Sequence, residues 1–117
     1  SYQGGFNAFM NFGRIVRDGY ENITKIVEYK DASPAEREIL EVNPGIYAFN
    51  TEWLTNHIHL ITNKNAQEEY YLTDIVALAM EEEVPVYSLP INYKEIIGIN
   101  TPEQLKAAEK FISGTNP

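Results

Sequence analysis

Apolar and polar positions fall into two periods along this chain. Phe12-Gly13-Arg14-Ile15-Val16-Arg17 alternates with a period of two, which predicts a strand with Ile15 inward and Arg14 outward. Asp18-Gly19-Tyr20-Glu21-Asn22 reads as a turn, because Asp-Gly tolerates positive φ. Ile23 to Tyr29 resumes the alternation, so residues 12–29 predict a β-hairpin. Ser33-Pro34-Ala35-Glu36 then opens a short helix: Ser33 caps it, Pro34 suits the first helical position and Glu36 completes a capping box. That helix carries through Arg37–Leu40 into Glu41. Ile46 to Phe49 is apolar enough for a buried strand. Asn50 caps a helix from Thr51 to about Leu60, with Trp53, Leu54, Ile58 and Ile61 on its inner side. Thr73 is read as the N-cap of a helix to Glu83 striped by Ile75, Leu78 and Ala79. Val84 to Leu89 alternates as a strand, and Tyr93 to Ile97 forms a helical turn. Thr101-Pro102-Glu103-Gln104 opens the last helix, which Leu105, Ala108, Phe111 and Ile112 stripe and Gly114 ends.

The order is β-hairpin, helix, strand, helix, helix, strand, helix, which is an α/β class with a mixed sheet. Three or four strands under so many helices leave a long sheet edge unpaired. The pattern therefore predicts part of a larger sheet, or a homodimer or domain swap through that edge. Residues 1–11 read as a tail or linker, 12–113 as the folded unit and 114–117 as a second tail.

Composition narrows the partners. The chain has 117 residues, 44% of them hydrophobic, enough for one modest core. Its net charge of −8 with scattered Lys and Arg argues against a nucleic-acid binder, which needs a basic patch. It contains no cysteine, which removes disulfides, thiolate zinc sites and thiol nucleophiles and suits a cytoplasmic setting. No apolar run reaches the roughly 18 residues that a membrane span needs, so no membrane role is expected.

Candidate chemistry gathers at strand ends, where open α/β sheets make their ligand contacts. Glu28, Lys30 and Asp31 fall where the hairpin's second strand runs out, and Asn43 stands before the Pro44-Gly45 bend. On spacing alone, a pocket rim and a solvated turn describe these residues equally well. Gly13 is either a strand irregularity or a point where backbone approaches a ligand. His57 and His59, two apart, do not share a helical face and find no third ligand at suitable spacing.

Five segments in order carry a resemblance: Gly13-Arg14-Ile15-Val16-Arg17; Ile26-Val27-Glu28-Tyr29-Lys30-Asp31-Ala32; Glu41-Val42-Asn43-Pro44-Gly45-Ile46-Tyr47; Asn65-Ala66-Gln67 with Glu69-Tyr70-Tyr71-Leu72-Thr73-Asp74; and Gly98-Ile99-Asn100. Together they resemble the C-terminal half of the uridylyltransferase domain of bifunctional UDP-N-acetylglucosamine pyrophosphorylase/glucosamine-1-phosphate N-acetyltransferase, or a related sugar nucleotidyltransferase. The resemblance covers roughly residues 12–112. It implies a Rossmann-like α/β sandwich and a Mg²⁺-dependent transfer that joins UTP to N-acetylglucosamine 1-phosphate, releasing pyrophosphate, in supply of a cell-wall precursor. It also implies that backbone at Gly13 and the side chains of Glu28 and Asn43 hold the N-acetylglucosamine moiety. Tyr71 and Thr73 would lie near its N-acetyl group, and Asn100 would be one of two protein ligands to Mg²⁺.

Departures qualify that implication. The glycine-rich loop that cradles the nucleotide in the family, with its Arg and Lys, has no counterpart in these residues, nor has the aspartate that is the second metal ligand. The β-helical acetyltransferase domain has none either. Glu68 stands where the family usually has Gly, and the turn from Asp18 to Asn22 is about one residue longer. The expectation is a sugar-side half that binds UDP-N-acetylglucosamine or a sugar 1-phosphate and does not turn over alone. The runner-up is a relative that uses glucose 1-phosphate with dTTP. A different class is a non-catalytic sugar-nucleotide-binding or assembly module.

Overall fold

The computed structural model describes residues 9–96 and 98–115. Residues 1–8 of the tail expected at 1–11, Ile97 at the end of the expected helical turn, and the last two residues lie outside the described residues. Within them the chain is a mixed α/β unit.

The predicted hairpin is present. Strand β1 (Arg14–Arg17) pairs antiparallel with β2 (Ile23–Val27), with Ile15 opposite Ile26 and Val16 opposite Lys25. The register slips between Val16 and Arg17, so Arg17 faces Ile23. The Asp18 carboxylate knots the turn, accepting from the backbone N–H of Tyr20 at 2.8 Å and of Asn22 at 3.0 Å. These bonds hold its pKa below the ordinary carboxylate value. The positive φ needed here falls on Glu21, at 66°, and not on Gly19.

Arg14 overturns the outward reading. It is 1% exposed, the most deeply buried charged side chain among the described residues. Its guanidinium donates to the carbonyls of Phe12, of Met10 at 2.8 Å and of Arg37 at 3.4 Å. Short helix α1 (Pro34–Arg37) covers that side of the hairpin, so the strand is enclosed on both faces and simple alternation fails. The capping box of α1 is as predicted, with Ser33 Oγ accepting from Glu36 N at 3.1 Å and Glu36 Oε1 from Ser33 N at 2.9 Å.

The third strand is displaced and reduced to a bridge. Ile15 N donates to Glu41 O at 3.0 Å and Asn43 N to Gly13 O at 2.9 Å, so pairing occurs at 41–43 and not at 46–49. Pro44 has no N–H to continue the ladder, and Gly45 turns the chain away at φ 81°. Ile46 is left 71% exposed, while Tyr47 and Phe49 lean onto the core. The predicted strand at 84–89 is also absent. Pro85 and Pro90 each lack a donor, and no second strand flanks the segment among the described residues.

Helix α2 (Thr51–His57) starts where Asn50 caps it, accepting from Trp53 N at 3.0 Å, and runs on as a single 3₁₀ turn, Ile58–Leu60. Ile61 joins the core but Ile58 does not; it is exposed on the loosened turn. Helix α3 (Asp74–Glu81) buries Ile75, Val76 and Ala79, with Leu78 at the margin. Ile75 is wholly buried, and α3 lies across β2, so the core sits between that helix and the hairpin. A 3₁₀ turn at Tyr93–Glu95 leads to α4 (Pro102–Thr115). Its predicted box is present: Gln104 N donates to Thr101 Oγ1 at 3.1 Å and Thr101 N to Gln104 Oε1 at 3.0 Å. Gly114 lies inside this helix and does not end it. Of the predicted stripe only Ala108 is buried; Leu105, Phe111 and Ile112 are exposed.

Candidate functional site

Gly13 is the hub of the candidate site. It sits just before β1, buried against the end of β2. A Cβ there would stand 3.2 Å from the carbonyl oxygen of Val27 and 3.6 Å from Glu28 Oε1. The first contact is tighter than most real Cβ contacts, so a side chain here would press the Val27 carbonyl back by a few tenths of an ångström. The carbonyl of Gly13 accepts from Asn43 N, which brings Asn43 to the same place. Glu28 and Asn43 thus stand on either side of Gly13, as strand-end spacing allowed.

Thr73 joins them from the helical side. It was expected to cap α3, but its backbone is already helical and its hydroxyl makes no cap bond. The Oγ1 donates instead to Glu28 Oε1 at 3.3 Å, fixing one carboxylate oxygen. Tyr71 stands nearby, its hydroxyl accepting from Gln67 Nε2 at 2.7 Å. Its pKa is raised, first by desolvation, then by the carboxylates of Asp31 and Glu28, against the lowering effect of Gln67. Asp31 ties the polar connector to the rim by accepting from Ala66 N at 2.7 Å. The carboxyl of Asp74 is raised by burial and by the charge of Asp31.

Tyr47 is a site residue the sequence reading missed. Asn43 Oδ1 accepts from Gly45 N at 3.2 Å, so its Nδ2 faces and donates to the Tyr47 hydroxyl. This fixes which way the Asn43 amide points. Burial raises the Tyr47 pKa, with Glu28 adding and the Asn43 bond opposing. The four-residue spacings Asn43–Tyr47 and Gln67–Tyr71 were the available signals.

Asn100 is not brought into this group. Its backbone bond is local, Asn100 N donating to Gln104 Oε1 at 2.6 Å at the entrance to α4. The nearest link is Gly98, whose Cβ position lies 3.8 Å from the ring of Phe12, beside Gly13. Glu68 is exposed, as expected, and adopts φ 54°, the left-handed conformation that suits glycine. An open polar depression of about 710 Å³ adjoins the connector, lined by Asn63, Lys64, Asn65 and Glu68.

The chemistry of the rim follows from its donors and acceptors. Glu28, Asp31 and Asp74 are acceptors when ionised, Thr73, Tyr47 and Tyr71 both donate and accept, and Asn43 offers an amide. Such a set suits neutral hydroxyl and amide groups and repels phosphate. Among the described residues no group of three or more His, Cys, Asp or Glu is placed to hold a metal ion. No helix among them is long and apolar enough to cross a membrane.

No family model matches the chain. Among curated proteins, the bifunctional protein GlmU of Clostridium kluyveri is 42% identical over 101 residues, 86% of this chain and 22% of that protein. The bifunctional protein GlmU of Carboxydothermus hydrogenoformans is 48% identical over 102 residues, 86% of this chain and 23% of that protein. That of Dechloromonas aromatica is 48% identical over 100 residues, 85% of this chain and 22% of that protein. The chain therefore spans about a fifth of the length of these relatives. The resemblance drawn from the five ordered segments is borne out.

Proposed function

We propose that this chain, homologous over 86% of its length to a segment of the bifunctional GlmU proteins, is the sugar-binding side of a nucleotidyltransferase. The reaction it would serve joins UTP to N-acetylglucosamine 1-phosphate. A phosphate oxygen of the sugar 1-phosphate attacks the α-phosphorus of UTP in line, a new P–O bond forms, and pyrophosphate leaves with the bonding pair. The mixed α/β unit would be part of a Rossmann-like sandwich in a cytoplasmic enzyme. Glucose 1-phosphate with dTTP remains the alternative substrate pair.

The observation that carries the reading is the convergence of Glu28, Asn43 and Thr73 on Gly13, in an acidic, hydroxyl-rich rim. Glu28 accepts from sugar hydroxyls with one oxygen while Thr73 holds the other. Asn43, oriented by Tyr47, presents its remaining N–H and lone pair. Backbone at Gly13 comes close because no side chain intervenes, and Tyr71 borders the N-acetyl group. These groups position the acceptor; none is a nucleophile, and the class needs none.

Mg²⁺ would supply charge neutralisation on the phosphates. Asn100 fits as a ligand in kind, since its amide oxygen is a hard donor on an exposed helix entrance. One amide oxygen does not retain the ion by itself; phosphates and a carboxylate from outside this chain would complete the set. Pairing of two copies along β2, which among the described residues pairs only with β1, belongs to the same reading.

Calorimetric titration with UDP-N-acetylglucosamine and Mg²⁺ tests the sugar side. Binding is expected for the parent chain, with at least about a tenfold loss in Glu28→Ala, the size of a hydrogen bond to a charged group. Equal affinity in the two proteins, or none in either, overturns it.

A further inference from the structure

His57 lies outside the candidate site, and its surroundings dictate its charge. It is the last residue of α2 and stacks on Trp53 of the same helix, ring centroids 4.2 Å apart. Its Nδ1 lies 2.7 Å from the carbonyl oxygen of Trp53. Its Nε2 lies 2.8 Å from Glu82 Oε1 and 2.6 Å from Oε2. Glu82 also accepts from Trp53 Nε1 at 3.1 Å. Both ring nitrogens therefore face acceptors that have no hydrogen to give. Either neutral tautomer would set a nitrogen lone pair against an oxygen lone pair; only the imidazolium donates at both ends.

The position reinforces this. Glu82 is the residue that closes α3, and His57 closes α2. The Trp53 carbonyl near the end of α2 and the Glu82 carboxylate at the end of α3 meet at a single cation, and the C-terminus of its own helix favours positive charge. Glu82 is the one charged group from the neighbouring element that acts on His57 among the described residues; its own helix contributes the Trp53 carbonyl and indole.

We propose that His57 is a pH-operated clasp, which as an imidazolium ties the end of α2 to the end of α3 and so closes residues 58–81 between them, the connector 58–73 included. Those residues include Gln67, Tyr71 and Thr73. The clasp stands on this geometry and not on the sugar-side reading. Deprotonation removes one of its two bonds and the charge that Glu82 holds, so the closed segment loosens. The backbone bond to Trp53 is the largest influence and raises the His57 pKa above its ordinary 6.5; desolvation opposes it, Glu82 adds to it, and His57 in turn lowers Glu82. The sign follows: the clasp's contribution is complete below about pH 6.5, the ordinary histidine value, and is lost as pH rises through the raised folded value.

Nitrogen-15 NMR titration of the 117-residue chain, with amide-exchange protection across 58–73, tests the clasp. His57 is expected to carry both ring protons at pH 6.5 and to titrate above that value, with a lower midpoint in Glu82→Gln. Protection within 58–73, corrected for intrinsic exchange, should fall several-fold across the titration in the parent chain and stay level in His57→Gln. A neutral His57 at pH 6.5, a midpoint that Glu82→Gln leaves in place, or an equal loss of protection in parent and His57→Gln overturns the proposal.

Discussion

Arg14 shows how a single residue can defeat pattern reading and still organise the site. Alternation placed it outward because a charged side chain is seldom buried. Its guanidinium is buried because three carbonyls, from Phe12, Met10 and Arg37, converge on it, and because Tyr29 lies within 5.8 Å as a flat wall. These partners are backbone carbonyls, which every residue carries, so no sequence signal announced them. Lysine keeps the charge but loses the planar fork that reaches several carbonyls at once. Arg14→Lys is therefore expected to cost about 1.5–3 kcal/mol, the range for hydrogen bonds to charged groups, read from the urea midpoint at unchanged slope. Gly13 was more legible: a glycine at the start of a strand suggested close approach, and the 3.2 Å to Val27 O supplies the reason. Asn43 and Glu28 were legible as strand-end polar groups. Tyr47, which orients Asn43, was taken only as an apolar strand residue, since its hydroxyl's role depends on the turn at Gly45.

Helix starts were readable and helix stops were not. Ser33, Asn50 and Thr101 cap as expected because each bond is local, three residues away. Thr73 looks identical in sequence, yet its hydroxyl is drawn to Glu28, 45 residues back, so a tertiary partner wins over the cap. The end of α3 is a turn that usually carries glycine. Val84 N bonds to Ala79 O at 2.8 Å and Glu83 N to Met80 O at 3.1 Å, the paired bonds of a Schellman closure. Its left-handed position is Glu83, at φ 58°. Relief of that conformation, about 1–2 kcal/mol, exceeds glycine's unfolded-state cost of about 0.5–1 kcal/mol. Glu83→Gly should raise stability by about 0.5–1 kcal/mol in thermal or urea unfolding. The two predicted strands failed for the converse reason. Apolar alternation at 46–49 and 84–89 was real, but a strand needs a partner, and prolines at 44, 85 and 90 remove donors where pairing would begin.

At the scale of the whole molecule, the hairpin and α3 make a core that α2 and its flanks lean on but that no described residue of α4 joins. The radius of gyration is 16.1 Å, against about 13 Å expected for a compact chain of this length. Ile46, Tyr87 and Leu89 are exposed, and of the α4 stripe only Ala108 is buried. The sequence had announced this imbalance as too few strands for its helices, and the ordered motifs had announced the relatives. What it could not state was which residues meet, because Glu28, Asn43 and Thr73 come from three separate segments. The sugar-side reading is an assertion about that meeting within a larger enzyme, so the decisive measurement is made in one. In the Carboxydothermus hydrogenoformans relative, the matched segment is replaced by the corresponding residues of this chain, and pyrophosphate release from UTP and N-acetylglucosamine 1-phosphate is followed. The account predicts turnover in the chimera, and a rise of about tenfold or more in KM for the sugar phosphate with Glu28→Ala at little change in KM for UTP. A folded chimera that binds UTP yet releases no pyrophosphate, or one whose KM for the sugar phosphate ignores Glu28→Ala, would contradict it.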